Sequence, residues 1–136
     1  MFQIDKPMPA ITEEGAPYWE GCRAGELRLQ RCTACERLRF PPSVLCPHCL
    51  AEGGEWVALS GRGRIYSFII VHRPQHPAFF EDVPYNVAIV ELDGGIRLHS
   101  TILDCPNEEL SIGMPVEVVF DRVNDEVTLP RFRPRR

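Results

Sequence analysis

The chain has 136 residues, of which 44% are hydrophobic and 25% are charged, and its formal net charge is −4. This length suits a compact domain with a small attached module and excludes two large hydrophobic cores. The acidic balance argues against a general affinity for nucleic acid, and no apolar run reaches the ~18 residues that a membrane-spanning helix needs.

Residues 1–25 are predicted to form an extended arm and a short helix. The start of the chain lacks the basic and then apolar pattern of a secretory signal, so we expect a cytoplasmic protein. Pro17 suits the first turn of a helix, and Gly25 can end it. Three residues are expected on its packed side: Tyr18, Trp19 and Cys22. Two turns are marginal alone, so this helix must dock on the rest of the chain.

Residues 26–60 are predicted to form a rubredoxin-like zinc ribbon. Leucines alternate with polar residues after Glu26, which indicates a strand leading into the first of two Cys-X-X-Cys pairs. The two pairs are Cys32 with Cys35 and Cys46 with Cys49. Such pairs complete a tetrahedral thiolate site with no open position, so we predict structural Zn²⁺, although the same ligands can also hold iron. His48, between two ligands, is expected to lie outside the ligand set.

The second pair is followed by signals for a turn, a strand and a hinge. Gly53 and Gly54 predict the turn, and Glu55 to Leu59 predict a returning strand. Ser60 to Gly63 is interpreted as a hinge between the ribbon and a second unit.

Residues 61–136 are predicted to form a mainly β OB-fold barrel with a basic C-terminal tail. The alternating and β-branched segments indicate five strands: Arg64 to His72, Tyr85 to Leu92, Ile96 to Leu103, Pro115 to Asp121, and a short last strand ending at Pro130. Five strands with an irregular connection fit a closed Greek-key barrel better than a sandwich, which needs about seven. Cys22 and Cys105 fit no ligand pattern and are interpreted as packing residues.

Several short motifs occur in order along residues 15–134. They are Gly25-Glu26-Leu27, Arg31 to Cys35, Phe40-Pro41-Pro42, Cys46 to Cys49, Leu59 to Ser67, Val83 to Leu92, Ile112 to Glu117 and Leu129 to Phe132. In this order and spacing they resemble a family of zinc-ribbon plus OB-fold proteins associated with acyl-CoA metabolism.

The resemblance implies a non-catalytic accessory subunit of a thiolase-fold enzyme: a thiolase, an acyltransferase or an aldolase acting on acyl-CoA. Some family members also accompany enoyl-CoA hydratases. The implied assembly is a hetero-oligomer with a catalytic subunit, with structural zinc and with CoA or acyl-CoA as a shared ligand. Relatives often have arginine after the Pro41-Pro42 pair, where this chain has Ser43, so the CoA phosphates would need other cations here.

Two groups of residues are candidates for ligand and partner contacts. Arg62, Gly63 and Arg64 could bind CoA phosphates at the hinge, or could form a tight turn with solvated arginines. The proline-rich segment 72–84 is too long for a simple connection, and its Phe79 and Phe80 could anchor a partner, cover a pantetheine arm, or fold back on the barrel.

The C-terminal residues 131–136 carry four arginines and no acid. We predict partner contacts at Arg131, Phe132 and Arg133, with a solvated end as the alternative. No catalytic residue is predicted, because no nucleophile motif, Walker loop or dinucleotide fingerprint occurs. A competing hypothesis is a nucleic-acid-binding module, since zinc ribbons and OB barrels both serve that role, but the acidic body disfavours it. We therefore expect no nucleic acid and no membrane among the partners.

Overall fold

A computed structural model describes residues 6–135, which form a short helix and two antiparallel β-sheets. The elements in chain order are α1 (Ala16–Arg23), β1 (Leu27–Arg31), β2 (Leu38–Arg39), β3 (Glu55–Leu59), β4 (Arg62–Val71), β5 (Tyr85–Leu92), β6 (Arg97–Ser100), β7 (Pro115–Arg122) and β8 (Thr128–Pro134). Short 3₁₀ turns lie at Pro77–Phe79 and Asn107–Glu109. Among these residues, no helix is both long enough and apolar enough to cross a lipid bilayer.

Helix α1 forms where the sequence predicts it and packs on both sheets. Pro17 lies in its first turn, and Gly25 follows its end with a φ of 77°. Gly21 allows the chain to turn back closely, because a Cβ there would lie 2.7 Å from the carbonyl oxygen of Glu26. The buried side of the helix includes Tyr18 and Cys22, as predicted. The helix contacts β1, β7 and β8, so it lies against both the ribbon and the barrel.

The ribbon sheet has the order β2-β1-β3. Strand β1 pairs along its whole length with β3, so that Leu27 lies opposite Leu59 and Leu29 opposite Val57. Both β1 leucines are 1% exposed, which confirms the half-buried strand predicted from their alternation.

The second sheet has the order β6-β5-β4-β7-β8. A β-bulge between Ile65 and Ser67 shifts the register of β4 against β5, and such bulges increase the local twist. The curled sheet brings its edges together at a parallel bridge between Ile102 and Phe132. There the amide of Leu103 donates to the carbonyl of Phe132 at 2.7 Å. The predicted OB fold is confirmed. Its five-stranded sheet curls into a half-barrel whose two edges meet at this bridge.

The largest differences from the predicted strand boundaries lie at the ends of β6 and β8. Strand β6 ends at Ser100 rather than Leu103, because the next residues bend towards the bridge with Phe132. Strand β8 extends to Pro134, well beyond the predicted end at Pro130, and pairs with β7 along seven residues. Part of the predicted basic tail is therefore a strand of the barrel.

The core is shared between the two sheets. One cluster of buried side chains takes members from α1, from the ribbon and from the barrel: Tyr18, Cys22, Leu27, Leu29, Ile65, Ala88, Val90, Leu92, Leu98, Ile102, Leu110, Val116 and Phe132. The predicted hinge is a packed junction in the structure, because Gly61 is buried and its carbonyl accepts a hydrogen bond from the Val118 amide at 2.8 Å. A Cβ on Gly61 would also meet the Val118 side chain.

Candidate metal centre and the groove beside it

The structure brings the four predicted ligands together. The sulfur atoms of Cys32, Cys35, Cys46 and Cys49 all lie within 4.8 Å of one another. The Cys32–Cys49 and Cys35–Cys46 sulfur pairs are 3.6 and 3.7 Å apart. A tetrahedral site with Zn–S bonds of ~2.3 Å requires sulfur separations of about 3.8 Å, so the four donors fit zinc.

Two matching turns present these thiols. In the first, Glu36 adopts a φ of 65° and its amide donates to the Cys32 carbonyl at 2.9 Å. In the second, Leu50 adopts the same φ and its amide donates to the Cys46 carbonyl at 2.8 Å. Each Cys-X-X-Cys pair is therefore folded by its own backbone so that both sulfurs face a common centre.

Backbone amides also favour the ionised thiols. The amides of Ala34 and Cys35 each lie 3.4 Å from the Cys32 sulfur. The amide of Cys35 is the main cause that lowers the pKa of Cys32, to about 6. The His48 amide makes the corresponding contact to the Cys46 sulfur at 3.4 Å. The His48 side chain lies outside the four-residue cluster, as the sequence predicts.

A buried arginine braces the ribbon beside the thiols. Arg39 is 3% exposed, and its Nε donates to the Gln30 side-chain oxygen at 3.1 Å. Its Nη2 donates to the carbonyls of Ser43 and Gly53 at 2.9 and 3.0 Å. One guanidinium thus ties β1 to the segments on both sides of the second cysteine pair. This role was not predicted from the sequence, because a lone arginine before Phe-Pro-Pro carries no local signal for burial.

A groove with a volume of about 710 Å³ lies between the ribbon and the β5–β6 turn. It is lined by residues of both units: Arg31, Glu36, Arg37, Leu38, Arg39, Phe40, Pro47, His48, Gly94, Gly95, Ile96 and Arg97. The ribbon and the β5–β6 turn approach closely beside the groove, since a Cβ on Gly94 would lie 3.2 Å from Leu38 Cδ1. We call this feature the ribbon–barrel groove. The groove was not predicted from the sequence, because its arginines come from segments about 60 residues apart along the chain.

The predicted CoA-binding triplet lies at the start of β4. Gly63 is buried, and a Cβ there would lie 2.5 Å from the Glu91 carbonyl oxygen, so glycine is needed for strand packing. Arg62 and Arg64 are exposed, and Arg64 Nη1 donates to the Gly113 carbonyl at 3.3 Å. A role of the two arginines in CoA binding remains a prediction, whereas Gly63 has a structural reason of its own.

The two predicted interface phenylalanines differ in exposure. Phe79 is partly buried, with ring centroids 5.9 Å from His76 and 6.1 Å from Tyr85. Phe80 is 57% exposed. Phe79 therefore folds back on its own chain, and Phe80 is the member of the pair that can contact a partner.

The predicted C-terminal contacts need one correction. Phe132 is 0% exposed and packs in the core, so its side chain cannot serve as a contact surface and that prediction is wrong. Arg131 and Arg133 lie on the outer side of β8, where they pair with Asp121 at 2.8 Å and Glu117 at 3.2 Å. Partner contacts of these two arginines remain a prediction.

The two cysteines outside the metal set are poor nucleophiles. Burial raises the pKa of Cys22 to about 11, and burial also raises the pKa of Cys105. The Cys105 thiol donates to the Pro106 carbonyl at 3.5 Å. A thiol must ionise to attack a substrate, and both of these are held in the protonated form at neutral pH.

Comparisons with known proteins agree with this architecture. Residues 19–53 match the family model "ChsH2, rubredoxin-like zinc ribbon domain", and residues 56–121 match "ChsH2, C-terminal OB-fold domain". A probable enoyl-CoA hydratase alpha subunit of Thermomonospora curvata is 42% identical over 129 residues, which are 95% of this chain and 40% of that protein. The chain therefore spans less than half of that relative.

Other relatives are matched over most of their length. A DUF35 domain-containing scaffold protein of Methanothermobacter thermautotrophicus is 41% identical over 71% of this chain and 72% of its own. The benzoylsuccinyl-CoA thiolase subunit BbsA of Thauera aromatica is 32% identical over 78% of this chain and 71% of its own.

A solved structure is also similar. A chain of the Ltp2-ChsH2(DUF35) aldolase matches with a TM-score of 0.82 and 42% identity, covering 93% of this chain and 98% of that one. The fold, the cysteine cluster and these matches agree, and the chain belongs to the ChsH2-type DUF35 family of zinc-ribbon and OB-fold proteins.

Proposed function

We propose that this chain is a non-catalytic subunit that pairs with a thiolase-fold catalytic subunit acting on an acyl-CoA substrate. The observation that carries the proposal is the match to a chain of the Ltp2-ChsH2(DUF35) aldolase, at 42% identity across 98% of that chain. The similarity to a thiolase subunit, BbsA, points to the same class of assembly.

The chemistry of the described residues supports a role without catalysis. Four thiolates around zinc would leave no position for a substrate, so the metal when bound supplies structure. The thiols of Cys22 and Cys105 have raised pKa values, so neither is an activated nucleophile. The nucleophile for acyl transfer, or the base for aldol cleavage, would come from the partner.

Phe80 is the candidate anchor for that partner. Its ring is 57% exposed on a segment held by a 3₁₀ turn, in which His76 Nδ1 accepts a hydrogen bond from the Ala78 amide at 3.1 Å. Exposed aromatic side chains on such supported loops are typical centres of protein interfaces.

A second class of partner is an enoyl-CoA hydratase. The Thermomonospora curvata relative is named as a hydratase alpha subunit and matches 95% of this chain. The matched region is 40% of that protein, so the hydratase activity could reside in the remainder. Both partners act on acyl-CoA, and the identity of the co-purifying subunit separates them.

The test is co-purification from the source organism, with the partner identified by mass spectrometry and assayed for acyl-CoA turnover. We expect a thiolase-fold subunit to co-elute with this chain and to lose activity when the chain is removed. Phe80→Asp should weaken co-elution, whereas Ile112→Asp, at a side chain that is 72% exposed, serves as the matched control.

Three results would count against the proposal. Turnover of a thioester by this chain alone would show that it is catalytic. Recovery of a hydratase in place of a thiolase-fold subunit would favour the second class of partner. Tight binding of single-stranded oligonucleotides, with no acyl-CoA enzyme recovered, would instead favour the nucleic-acid hypothesis.

A further inference from the structure

We propose that the ribbon–barrel groove binds the phosphate-bearing nucleotide end of coenzyme A, the adenosine 3′,5′-bisphosphate moiety. This inference rests on the proposed function, because it assigns a site for the acyl-CoA that the partner would process. It differs from the sequence-based prediction at the start of β4, which relied on local arginines and not on a cavity.

The groove is cationic within an acidic chain. Its lining holds four arginines and one acidic residue, Glu36, whereas the whole chain carries a net charge of −4. Arg31 and Arg37 form no ion pair among residues 6–135. Arg97 is already held in place, with its Nε 2.9 Å from Glu91 and its guanidinium 3.7 Å from the centre of the Tyr66 ring. Arg31 and Arg37 are therefore available for an anion.

Arg39 adds a charge that no carboxylate balances in the described part of the chain. Its three hydrogen-bond partners are neutral oxygens, and its Nη1 is buried without a partner. A buried charge without an opposite charge is costly, and its field extends into neighbouring low-dielectric space. An anion in the groove would be stabilised by this field as well as by direct contacts.

The size and walls of the groove suit a nucleotide. Its volume of about 710 Å³ lies within the range of about 300–1,000 Å³ that is typical of small-molecule sites. Phe40, Pro47 and Ile96 also line the groove and provide apolar surface for an adenine ring. Arginine forks match phosphate oxygens in pairs, which gives both affinity and orientation.

The metal centre holds the groove arginines in position. Arg31 precedes the ligand Cys32, and the Cys32 amide donates to the Arg37 carbonyl at 2.9 Å. The two cations thus flank the first cysteine turn. Nucleotide binding in this groove should therefore require the metal-loaded ribbon, which links the structural zinc to ligand recognition.

A nucleic-acid strand is a poorer occupant. A phosphate backbone needs cations along an extended path. Outside the groove, Arg131, Arg133 and Arg122 are each paired with an acidic side chain. The four groove arginines line one cavity, as a single nucleotide requires.

The test is calorimetric titration of the zinc-loaded full chain, alone and in the complex, with three probes: adenosine 3′,5′-bisphosphate, coenzyme A and pantetheine. We expect both nucleotides to bind, with affinity that falls as salt rises, and pantetheine not to bind to the isolated chain. The Arg31→Glu and Arg37→Glu variants should each weaken nucleotide binding about tenfold or more. Arg122→Glu makes the same charge change at the exposed end of β7 and should leave binding unchanged.

Zinc content and circular dichroism of each variant establish that it is folded, and Arg37→Gln supplies a milder version of the same change. Nucleotide affinity that is equal in wild type and the groove variants would overturn the inference. Tighter binding of a single-stranded oligonucleotide than of coenzyme A would overturn it as well. If the partner co-elutes with this chain but the complex does not bind the nucleotides through the groove, this inference fails while the proposed function stands.

Discussion

Two regions of the molecule are stabilised by different interactions: the barrel, and the segment of the ribbon between Cys32 and Gly54. In the barrel, apolar side chains from five strands share a core, with Ala88, Val90 and Phe132 0% exposed. In that segment Val44, Leu45 and Leu50 are 64%, 46% and 73% exposed, and the buried side chains are those of Cys32, Cys46 and Arg39. A small unit can fold with little apolar burial when a metal and polar braces replace a core.

The boundary between these two regimes lies within the ribbon. Leu27 and Leu29 of β1 belong to the same buried cluster as the barrel residues. The metal-dependent part is therefore the segment between Cys32 and Gly54, and the root of the ribbon is held by the shared core.

Metal removal should have the largest effect, and it should unfold the metal-dependent segment but not the barrel. Metal binding supplies on the order of 10 kcal/mol of folding free energy in comparable zinc peptides. We expect a strong chelator, or Cys46→Ser, to remove amide-exchange protection from residues 32–54 while β4 and β5 retain theirs. Hydrogen exchange with mass spectrometry measures both regions in one sample.

Cys105→Ser is the matched control, because Cys105 lies outside the thiol cluster and should leave zinc content at one equivalent per chain. Unchanged protection of residues 32–54 in metal-free protein would show that Arg39 and backbone bonds suffice to fold this segment. The distinction between the two regions would then have no energetic basis.

A substitution in the barrel core should have the opposite effect: it should destabilise the barrel and leave zinc binding intact. Phe132→Ala removes a fully buried ring at the point where the sheet edges meet, and we expect a loss of about 3–5 kcal/mol in the free energy of unfolding. Denaturant unfolding followed by tryptophan fluorescence measures it. Zinc content should be retained in the folded fraction.

The neighbouring Arg133→Ala is the control for that position. Arg133 is exposed, and its ion pair with Glu117 has side chains that are 49% and 36% exposed, so its loss should cost less than about 1 kcal/mol. Equal effects of the two substitutions would contradict the inward and outward alternation along β8.

The extension of β8 shows what sequence patterns reveal and what they hide. The alternation of Arg131, Phe132 and Arg133 is a strand signal, but the run of arginines favoured interpretation as a tail. The signal becomes clear when the acids of β7 are considered, because Asp121 and Glu117 lie beside the two arginines. The metal site was predictable because its spacing is local and its chemistry leaves few alternatives.

Features that depend on distant contacts were not predictable. The burial of Arg39 depends on the carbonyls of Ser43 and Gly53, and no local sequence pattern predicts these contacts. The ribbon–barrel groove depends on the β5–β6 turn approaching Leu38, which is a consequence of how the two sheets pack. The sequence therefore predicted neither the cluster of groove arginines nor its closeness to this turn.

Helix α1 bridges the two regions, and its thiol should make their junction sensitive to alkaline pH. Burial raises the pKa of Cys22 from 9.0 to about 11, and burial raises the pKa of Tyr18 as well. A raised pKa keeps the thiol protonated in the folded state, while the unfolded chain releases its proton near pH 9. The stabilising effect is complete below pH 9 and is lost as the pH rises towards 11, by about 3 kcal/mol.

Cys22→Ala separates this effect from general alkaline unfolding. The variant loses some packing at every pH, but its free energy of unfolding should fall less steeply than that of wild type between pH 9 and 11. The remaining slope should decrease further in a variant that also carries Tyr18→Phe, because the phenol and the thiol are buried on the same helix. If the free energy of unfolding depends on pH equally in wild type and Cys22→Ala, the alkaline sensitivity does not come from the Cys22 thiol. Helix α1 would then not make the junction between ribbon and barrel sensitive to pH.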